Sequence, residues 1–142
     1  MKRRLCICFS FTVLTSCAEP TASISRADSE AAIITTKTNY ALGETVSAQL
    51  FNRSDRQLGY GACAVSLEKR YEGNKWLHVW PTSGGCIAIL YVLDANSSRM
   101  LNTRLDSKLS SGVYRLRIQV SRESDRSVHS VYSPTFYVRD AA

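Results

Sequence analysis

The side chains with the most reactive chemistry in this chain of 142 residues are its five cysteines, Cys6, Cys8, Cys17, Cys63 and Cys86. Cys17 has the most informative surroundings. Three cations stand at positions 2 to 4, an apolar run follows from Leu5 to Leu14, and Leu14-Thr15-Ser16 leads directly into Cys17. A cationic segment, a short apolar segment and then small residues are the layout of a secretory signal. The sequence therefore predicts export, with a thiol at the point of cleavage.

The segment resembles a bacterial lipoprotein signal, whose lipobox is a Leu, two small residues and a Cys. The resemblance implies removal of residues 1–16, a thioether-linked diacylglycerol on Cys17, and a lipid-anchored position in the cell envelope. Ala18 after Cys17 implies the outer membrane, facing the periplasm, if the source has two membranes. A spanning helix needs ~20 mostly apolar residues, and the run over residues 5–18 is shorter. A eukaryotic secretory signal with an incidental cysteine stays open.

Cysteine counting agrees with export. Cleavage removes Cys6 and Cys8 and lipidation uses Cys17, which leaves Cys63 and Cys86 in a compartment that permits disulfides. A bridge between these two would close a loop of 24 residues. The chain-entropy estimate for such a loop is roughly 3 kcal/mol of stabilisation. The alternative is two buried free thiols, because cysteine is also a common core residue.

The domain organisation follows from composition. Residues 1–16 are predicted to be the signal peptide, residues 17–32 a lipidated N-terminus with a flexible tether, and residues 33–142 a single folded domain. The tether is rich in Ala, Ser and Thr and has too little apolar surface to order itself. The whole-chain charge of +6 falls to +3 when Lys2, Arg3 and Arg4 are removed. That mild excess does not argue for nucleic acid, and we expect none as a partner.

The folded part shows short runs of alternating apolar and polar residues separated by Gly, Asn and Asp. The clearest run is Val113 to Val120, with every second side chain apolar. Val46, Ala48 and Leu50 alternate with polar residues in the same way. We find no helical stripe and no repeat. Period-two alternation at this spacing predicts an all-β fold, a sandwich or barrel.

Leu109-Ser110-Ser111-Gly112-Val113-Tyr114 looks like the tyrosine corner of Greek-key sandwiches, in which a Tyr hydroxyl bonds to the backbone upstream. More closely, the chain resembles the small bacterial immunoglobulin-like domains found as short secreted or lipoprotein modules. The resemblance implies an antiparallel β-sandwich of about seven strands. The matching stretches are Tyr40-Ala41-Leu42-Gly43-Glu44-Thr45-Val46, Asn52-Arg53-Ser54, Tyr60-Gly61-Ala62-Cys63, Leu67-Glu68-Lys69-Arg70, Gly73-Asn74-Lys75-Trp76 and Gly112-Val113-Tyr114-Arg115-Leu116-Arg117.

The chain departs from the antibody pattern at the second cysteine. Cys63 precedes Trp76 by 13 residues, as a first cysteine and core Trp would, but the position two after Tyr114 is Leu116. Cys86 follows Trp76 by only ten residues. A bridge that holds the loop over residues 81–85 to the Cys63 strand is therefore expected in place of an antibody-type bridge.

A binding surface is predicted around two sets of side chains. Trp76 and Trp80 share one face of a short strand and would form an aromatic platform, unless they cover the core edge and the following loop. Arg115 and Arg117, continued by Arg122 and Arg126, predict an outward basic stripe. It could meet anionic envelope polymers or lipid head groups, be simply solvated, or be paired with Glu123 and Asp125 next to it. The candidate surface is therefore Trp76, Trp80, Arg115 and Arg117.

Signals for catalysis are weak. His78 and His129 stand in predicted strands, and the chain has no HExxH, GxSxG or CxxC motif. We expect no enzyme, no cofactor and no metal site. The sequence favours a non-enzymatic binding or structural module held on the membrane by its lipid, with an envelope protein or polysaccharide as candidate partner. The alternative function is an envelope proteinase inhibitor that presents the loop over residues 81–86.

Overall fold

The computed structural model describes residues 30–79, 89–122 and 127–140. Within these ranges no helix combines the length and apolar character needed to cross a membrane. A single 3-10 turn, Glu72–Asn74, joins the fourth and fifth strands. The described residues form ten strands: β1 Ala31–Thr35, β2 Asn39–Ala41, β3 Thr45–Asn52, β4 Leu58–Arg70, β5 Trp76–Val79, β6 Leu90–Leu93, β7 Ser98–Arg104, β8 Gly112–Arg122, β9 Val128–Tyr132 and β10 Phe136–Arg139.

The strands make two sheets. The smaller sheet has the order β1-β3-β7 and is antiparallel throughout. The larger sheet is built on the antiparallel pair of its two long strands, β4 and β8. Strands β5 and β6 both pair with the other edge of β4, and β9 and β10 both pair with the other edge of β8. Strand β2 then joins β10 in parallel.

Alternating side chains from both sheets form one core. Val46, Ala48 and Leu50 supply it from β3, and Leu116 and Ile118 supply it from β8. Each such side chain is completely or almost completely buried, which is worth about 1.5–3 kcal/mol for a large aliphatic residue. The two sheets therefore pack face to face as an immunoglobulin-like β-sandwich, and the predicted fold class is confirmed.

The structure has ten strands where about seven were predicted, and two interruptions of the chain contribute to the difference. Between β1 and β2, at residues 36–38, the chain passes from the smaller sheet to the larger one. Between β9 and β10, Pro134 lies in a break at residues 133–135. Proline has no N–H to donate to a ladder, so it ends regular pairing where it stands.

The predicted tyrosine corner is present. Tyr114 is buried, and its hydroxyl donates a hydrogen bond to the backbone carbonyl of Ser110. Gly112 has φ +153°, and a Cβ at this position would lie 2.7 Å from Cε of Lys69. Glycine therefore serves both the backbone conformation and the close approach of Lys69 at the entry to β8.

One end of the sandwich carries the first described residue, Glu30. We call it the tether end, because the predicted tether would join the domain there. The Glu30 carbonyl accepts a hydrogen bond from the Arg53 N–H at 2.7 Å. Buried Asn52 joins two loops at this end, since its Nδ2 donates to the carbonyls of Arg56 at 2.7 Å and Asp94 at 2.8 Å. These bonds fix where the tether would leave the domain.

Strand β7 forms one edge of the smaller sheet. Its Arg99 stands opposite Leu50, a core residue, and so lies on the inward side of the strand. The Arg99 guanidinium carbon is 4.6 Å from the ring centroid of Tyr91 in β6. A cation–π contact therefore joins the two sheets along this edge.

Candidate binding surface

The larger sheet turns one face away from the core, and we call it the outer face. Because Tyr114, Leu116 and Ile118 point inward, their neighbours Arg115 and Arg117 point outward. In the register of the sheet, Arg115 stands opposite Glu68, and Arg117 stands opposite Tyr132. Trp76 of β5 stands opposite Arg70 of β4 and lies on the same face. The structure thus brings together three of the four predicted surface residues.

These side chains stack. The Arg115 guanidinium carbon is 4.2 Å from the ring centroid of Trp76 and 4.0 Å from that of Tyr132. A guanidinium between two rings makes two cation–π contacts, each worth about 0.5–1 kcal/mol at an exposed site. We call Trp76, Arg115, Tyr132, Glu68 and Arg117 the stacked cluster.

Glu68 holds the stack in position. Its residue is only 6% exposed although it lies on the outer face. Its Oε2 accepts hydrogen bonds from Arg115 Nε at 2.7 Å and Nη2 at 2.6 Å. Arg117 Nη1 lies 3.7 Å from Oε1, and Arg117 Nε donates to Ser130 Oγ at 3.0 Å. A carboxylate that is buried beneath arginines must be paired, because an isolated buried charge is strongly unfavourable.

Glu68 was missed by sequence reasoning. The prediction placed the partners of the basic stripe at Glu123 and Asp125, which lie outside the described residues, as does Arg126. The described partner of Arg115 comes instead from β4, which is 47 positions earlier in the chain. Only the pairing of β4 with β8 shows this relation, although the alternation of Glu68 with Leu67 was a visible sign that it points outward.

The predicted stripe does not continue to Arg122. Arg122 stands opposite Leu58, which is buried, and its Nη2 lies 2.5 Å from Oε2 of Glu30 at the tether end. It therefore belongs to the entry of the domain and not to the stacked cluster. Successive side chains of a strand point to opposite faces. Arg122 is an odd number of residues from Arg115 and Arg117, so its side chain points to the other face.

Trp76 fits neither predicted arrangement fully, that is, neither an exposed aromatic platform nor a cover over the core edge. Trp76 is half-buried, but Arg115 covers it on the outer face, not the core. Leu77 is half exposed and so does not fill the core, whereas Val79 stands opposite buried Leu67. Trp80 lies outside the described residues, so a platform of two tryptophans stays a prediction. The second ring of the described stack is Tyr132, which the sequence analysis did not select.

The remaining predicted sites are only partly described. Cys17, Cys86 and the loop over residues 81–86 lie outside the described residues. Cys63 is half-buried and is not a free thiol. It lies in a bulge of β4, where residues 61–64 stand against the single residue Gln119. Its bridge to Cys86 and the inhibitory loop stay predictions.

The histidines do not assemble a catalytic site within the described ranges. His129 Nε2 lies 2.8 Å from Ser127 Oγ, and among the described residues it makes no hydrogen bond to a carboxylate. His78 is exposed opposite Glu68, whose carboxylate is engaged by Arg115. Across the part of the chain that the structure describes, no group of three or more His, Cys, Asp or Glu side chains could hold a metal ion.

The sequence profile of the family described as "Bacterial Ig-like domain" matches residues 27–131, which is most of the chain. The chain belongs to this family. The match covers all the strands of the smaller sheet and the central pair of the larger one, so this bacterial Ig-like domain carries its stacked cluster on family-defined strands, apart from Tyr132 just beyond the match. A comparison with curated proteins found no match.

Solved structures with a similar arrangement are distant. A ceramidase complexed with C2 has a TM-score of 0.43 at 8% identity, over 74% of this chain and 18% of that one. The PapD-like domain 7 of human CEP192 has a TM-score of 0.40 at 11% identity, over 94% and 100%. The sporulation control protein Spo0M of Bacillus subtilis has a TM-score of 0.48 at 10% identity, over 78% and 49%. The chain spans about a fifth of the ceramidase and about half of Spo0M. At these scores the likenesses carry no argument about function.

Proposed function

We propose that this bacterial Ig-like domain is a lipid-anchored, non-enzymatic binding module of the cell envelope, and that its partner contacts the stacked cluster. One observation carries the proposal: two aromatic rings and a guanidinium are stacked on the outer face of the sheet, not in the core. Aromatic residues and arginine are enriched in protein interfaces and dominate their binding energy. Membership of the bacterial Ig-like family supports a binding role over a catalytic one.

The stack is rigid before any partner arrives. Arg115 is held by two hydrogen bonds to Glu68 and lies between two rings, so little conformational freedom remains to be lost. Ordering a long side chain on binding costs about 0.5–1.5 kcal/mol, and a pre-ordered one avoids that cost. The cluster therefore presents a pre-ordered surface to a partner.

Arg117 gives the surface its charge preference. Its side chain is 32% exposed, and one of its N–H groups is bound by Ser130. Guanidinium has five donors, so Arg117 keeps donors for a carboxylate or phosphate of the partner. An envelope polysaccharide or protein with anionic groups fits this chemistry, because sugar faces and protein side chains both stack on aromatic rings.

A capture experiment tests the binding role. The lipidated protein and its Arg117→Glu and Tyr132→Ala variants would be used to recover material from the native envelope, followed by protein and carbohydrate analysis. We expect recovery of the partner to fall at least about tenfold in both variants, as loss of a binding hot spot implies. Tyr137→Ala is the matched control, since Tyr137 is an exposed tyrosine of β10 in the same sheet. Equal recovery by all four proteins would refute the proposal.

The lipid anchor is tested separately. Its support is the lipobox Leu14-Thr15-Ser16-Cys17 followed by a tether-like composition. Metabolic labelling with a fatty-acid probe, with and without globomycin, should label the protein and show inhibited processing. Cys17→Ala should lose the label and leave the membrane fraction. Unchanged labelling and fractionation of that variant would contradict the anchor.

A further inference from the structure

The half of the outer face nearest the tether end is apolar. Leu90 and Val92 of β6 are 68% and 54% exposed, and Val128 at the start of β9 is 60% exposed. In the register of the sheet, Val92, Gly59, Ser121 and Val128 form one row across β6, β4, β8 and β9. We call Leu90, Val92 and Val128 the apolar patch. Large apolar side chains grouped in this way on one surface mark an interaction site.

The centre of this row carries only small side chains. Gly59 has no side chain, and a Cβ built there would lie 2.8 Å from Ser121 Oγ and 3.4 Å from Cδ1 of Leu90. Because Gly59 has no Cβ, the Leu90 side chain lies close to its backbone, and the centre of the row stays low between Val92 and Val128. Three strand spacings separate the two sides, about 14 Å.

The predicted tether would leave the domain beside this patch. Glu30 is held by Arg122 at 2.5 Å and by the Arg53 N–H at 2.7 Å. The Arg122 N–H donates to the carbonyl of Ser127 at 3.1 Å, and Ser127 directly precedes Val128. Only 13 peptide bonds separate Cys17 from Glu30 in the sequence, which gives an r.m.s. reach of roughly 20 Å for a flexible chain.

Among the described residues, charge at the tether end is nearly balanced. Arg53 and Arg56 are exposed, with Asp55 3.9 Å from Arg56. Asp94 is exposed as well and accepts a hydrogen bond from Gln57 at 2.8 Å. A membrane contact at this end would therefore depend on the apolar side chains more than on attraction to anionic lipid.

We propose that the apolar patch docks on the surface of the lipid bilayer that holds the Cys17 lipid, so that the tether end of the outer face rests on the membrane and the stacked cluster stays accessible. The inference rests on the proposed lipid anchor. A short tether keeps the patch at high effective concentration near the bilayer, so a contact that is weak in free solution suffices. Leu90, Val92 and Val128 enter the interface between head groups and acyl chains, where apolar side chains are stabilised.

The test uses the full lipidated protein in vesicles of phosphatidylethanolamine and phosphatidylglycerol. A polarity-sensitive fluorophore is attached at Val128→Cys and, as the matched control, at Tyr137→Cys, an exposed position in β10. Lipids brominated in their acyl chains should quench the label at position 128 at least about twofold and leave the label at position 137 unchanged, since only the former enters the apolar interface. Raising the salt concentration or removing phosphatidylglycerol should change the result little.

Three other results would overturn the proposal. Protein that floats with the vesicles but shows equal quenching at both positions would contradict docking and leave the anchor intact. Protein that does not float would contradict the anchor and docking together. Shielding of position 128 in detergent, with a dimer by sedimentation, would assign the patch to a second copy.

A further variant checks that the patch itself is responsible. Leu90→Asp, introduced into the chain labelled at position 128, should abolish the quenching while flotation and the circular dichroism spectrum stay unchanged. Quenching that survives Leu90→Asp with full strength would show that another surface makes the contact.

Discussion

The outer face of the larger sheet has two halves that share the strands β4 and β8 but use them in opposite ways. In one half, Glu68 and Arg115 satisfy each other, and aromatic rings cover the guanidinium. In the other half, around Gly59 and Ser121, Leu90 and Val128 are largely exposed. The first half uses its polar groups for its own stability, whereas the second leaves apolar surface in water. Internal pairing therefore distinguishes two kinds of exposed surface: a pre-ordered polar stack in the first half and an apolar patch in the second.

The bulge in β4 lies at the boundary of the two halves. Tyr60 stands opposite Val120 on one side of it, and Val65 stands opposite Ile118 on the other. The extra residues of β4 end regular pairing between the halves and increase the local twist. Each half therefore has its own register with β8. The following substitutions test whether each half also contributes independently to the free energy of unfolding.

The largest effect is expected for Glu68→Ala. It leaves Arg115, whose side chain is 21% exposed, without its carboxylate partner. Breaking a buried pair costs 3–5 kcal/mol, and the partial exposure of Arg115 reduces the expected loss of unfolding free energy to about 2 kcal/mol. Urea unfolding measures it. The matched control is Glu72→Ala in the exposed 3-10 turn, with a change below about 0.5 kcal/mol. Equal losses in both variants would show that the stacked cluster has no special role in stability.

A double-mutant cycle measures the stack itself. Trp76→Leu and Arg115→Met, singly and together, should give a coupling free energy of about 1 kcal/mol, because the guanidinium lies over the ring. A second cycle pairs Trp76→Leu with Arg139→Met, a residue of β10 that bonds to Asn39 instead. Its coupling should lie within about 0.5 kcal/mol of zero. Similar coupling in both cycles would contradict a specific stack.

Tyr60→Phe tests a side chain that points into the core beneath the apolar half of the outer face. Among the described residues the buried Tyr60 hydroxyl has no hydrogen-bond partner, so its removal should raise the free energy of unfolding by up to about 1 kcal/mol. Burial raises the pKa of Tyr60, with Arg99 acting in the opposite direction. A raised folded-state pKa means that stability is intact below the unfolded value of about 10 and is lost as pH rises through the folded value.

Urea unfolding measured between about pH 8 and pH 11 therefore distinguishes the wild type from the Tyr60→Phe variant. The wild type should lose more stability above pH 10 than Tyr60→Phe does. Tyr137→Phe, at an exposed position, should follow the wild type. Parallel curves for the wild type and Tyr60→Phe would contradict the assignment of the shift to Tyr60.

The smallest effect is expected in the apolar patch. Leu90→Ser and Val128→Ser should each change the free energy of unfolding by less than about 0.5 kcal/mol, because both side chains are exposed. Leu93→Ala in the same strand as Leu90 is the control, and its buried side chain should cost about 2 kcal/mol or more. A large loss for Leu90→Ser would place the patch within the fold and remove it from the membrane.

Local rules were enough to predict the sandwich, the strand over residues 113–120 and the corner at Tyr114. In each case the signal lies within a few residues: alternation for β8, and Gly112 two positions before Tyr114 for the corner. The outward direction of Arg115 and Arg117 followed from the same alternation. These parts of the fold needed no knowledge of which strands are neighbours.

The rest of the cluster required strand neighbours that sequence spacing does not give. Glu68 and Tyr132 meet Arg115 only because β4 and β9 flank β8. The apolar patch was hidden for a related reason, since the continuous apolar run over residues 86–93 has a pattern that fits a buried strand and a packed loop equally. In the structure β6 begins only at Leu90 and lies on the free edge of β4, where alternate side chains face solvent.

Arg99 has a consequence for how copies of this domain behave when crowded on a membrane. Strand β7 ends the smaller sheet, and an unpaired strand edge is a template for pairing with another chain. If a second strand extended the sheet at β7, the Arg99 guanidinium would have to leave the Tyr91 ring and enter an apolar interface without water. The same contact that joins the two sheets thus discourages polymerisation through this edge, which would matter most under the proposed anchor, because a lipid concentrates a protein in two dimensions.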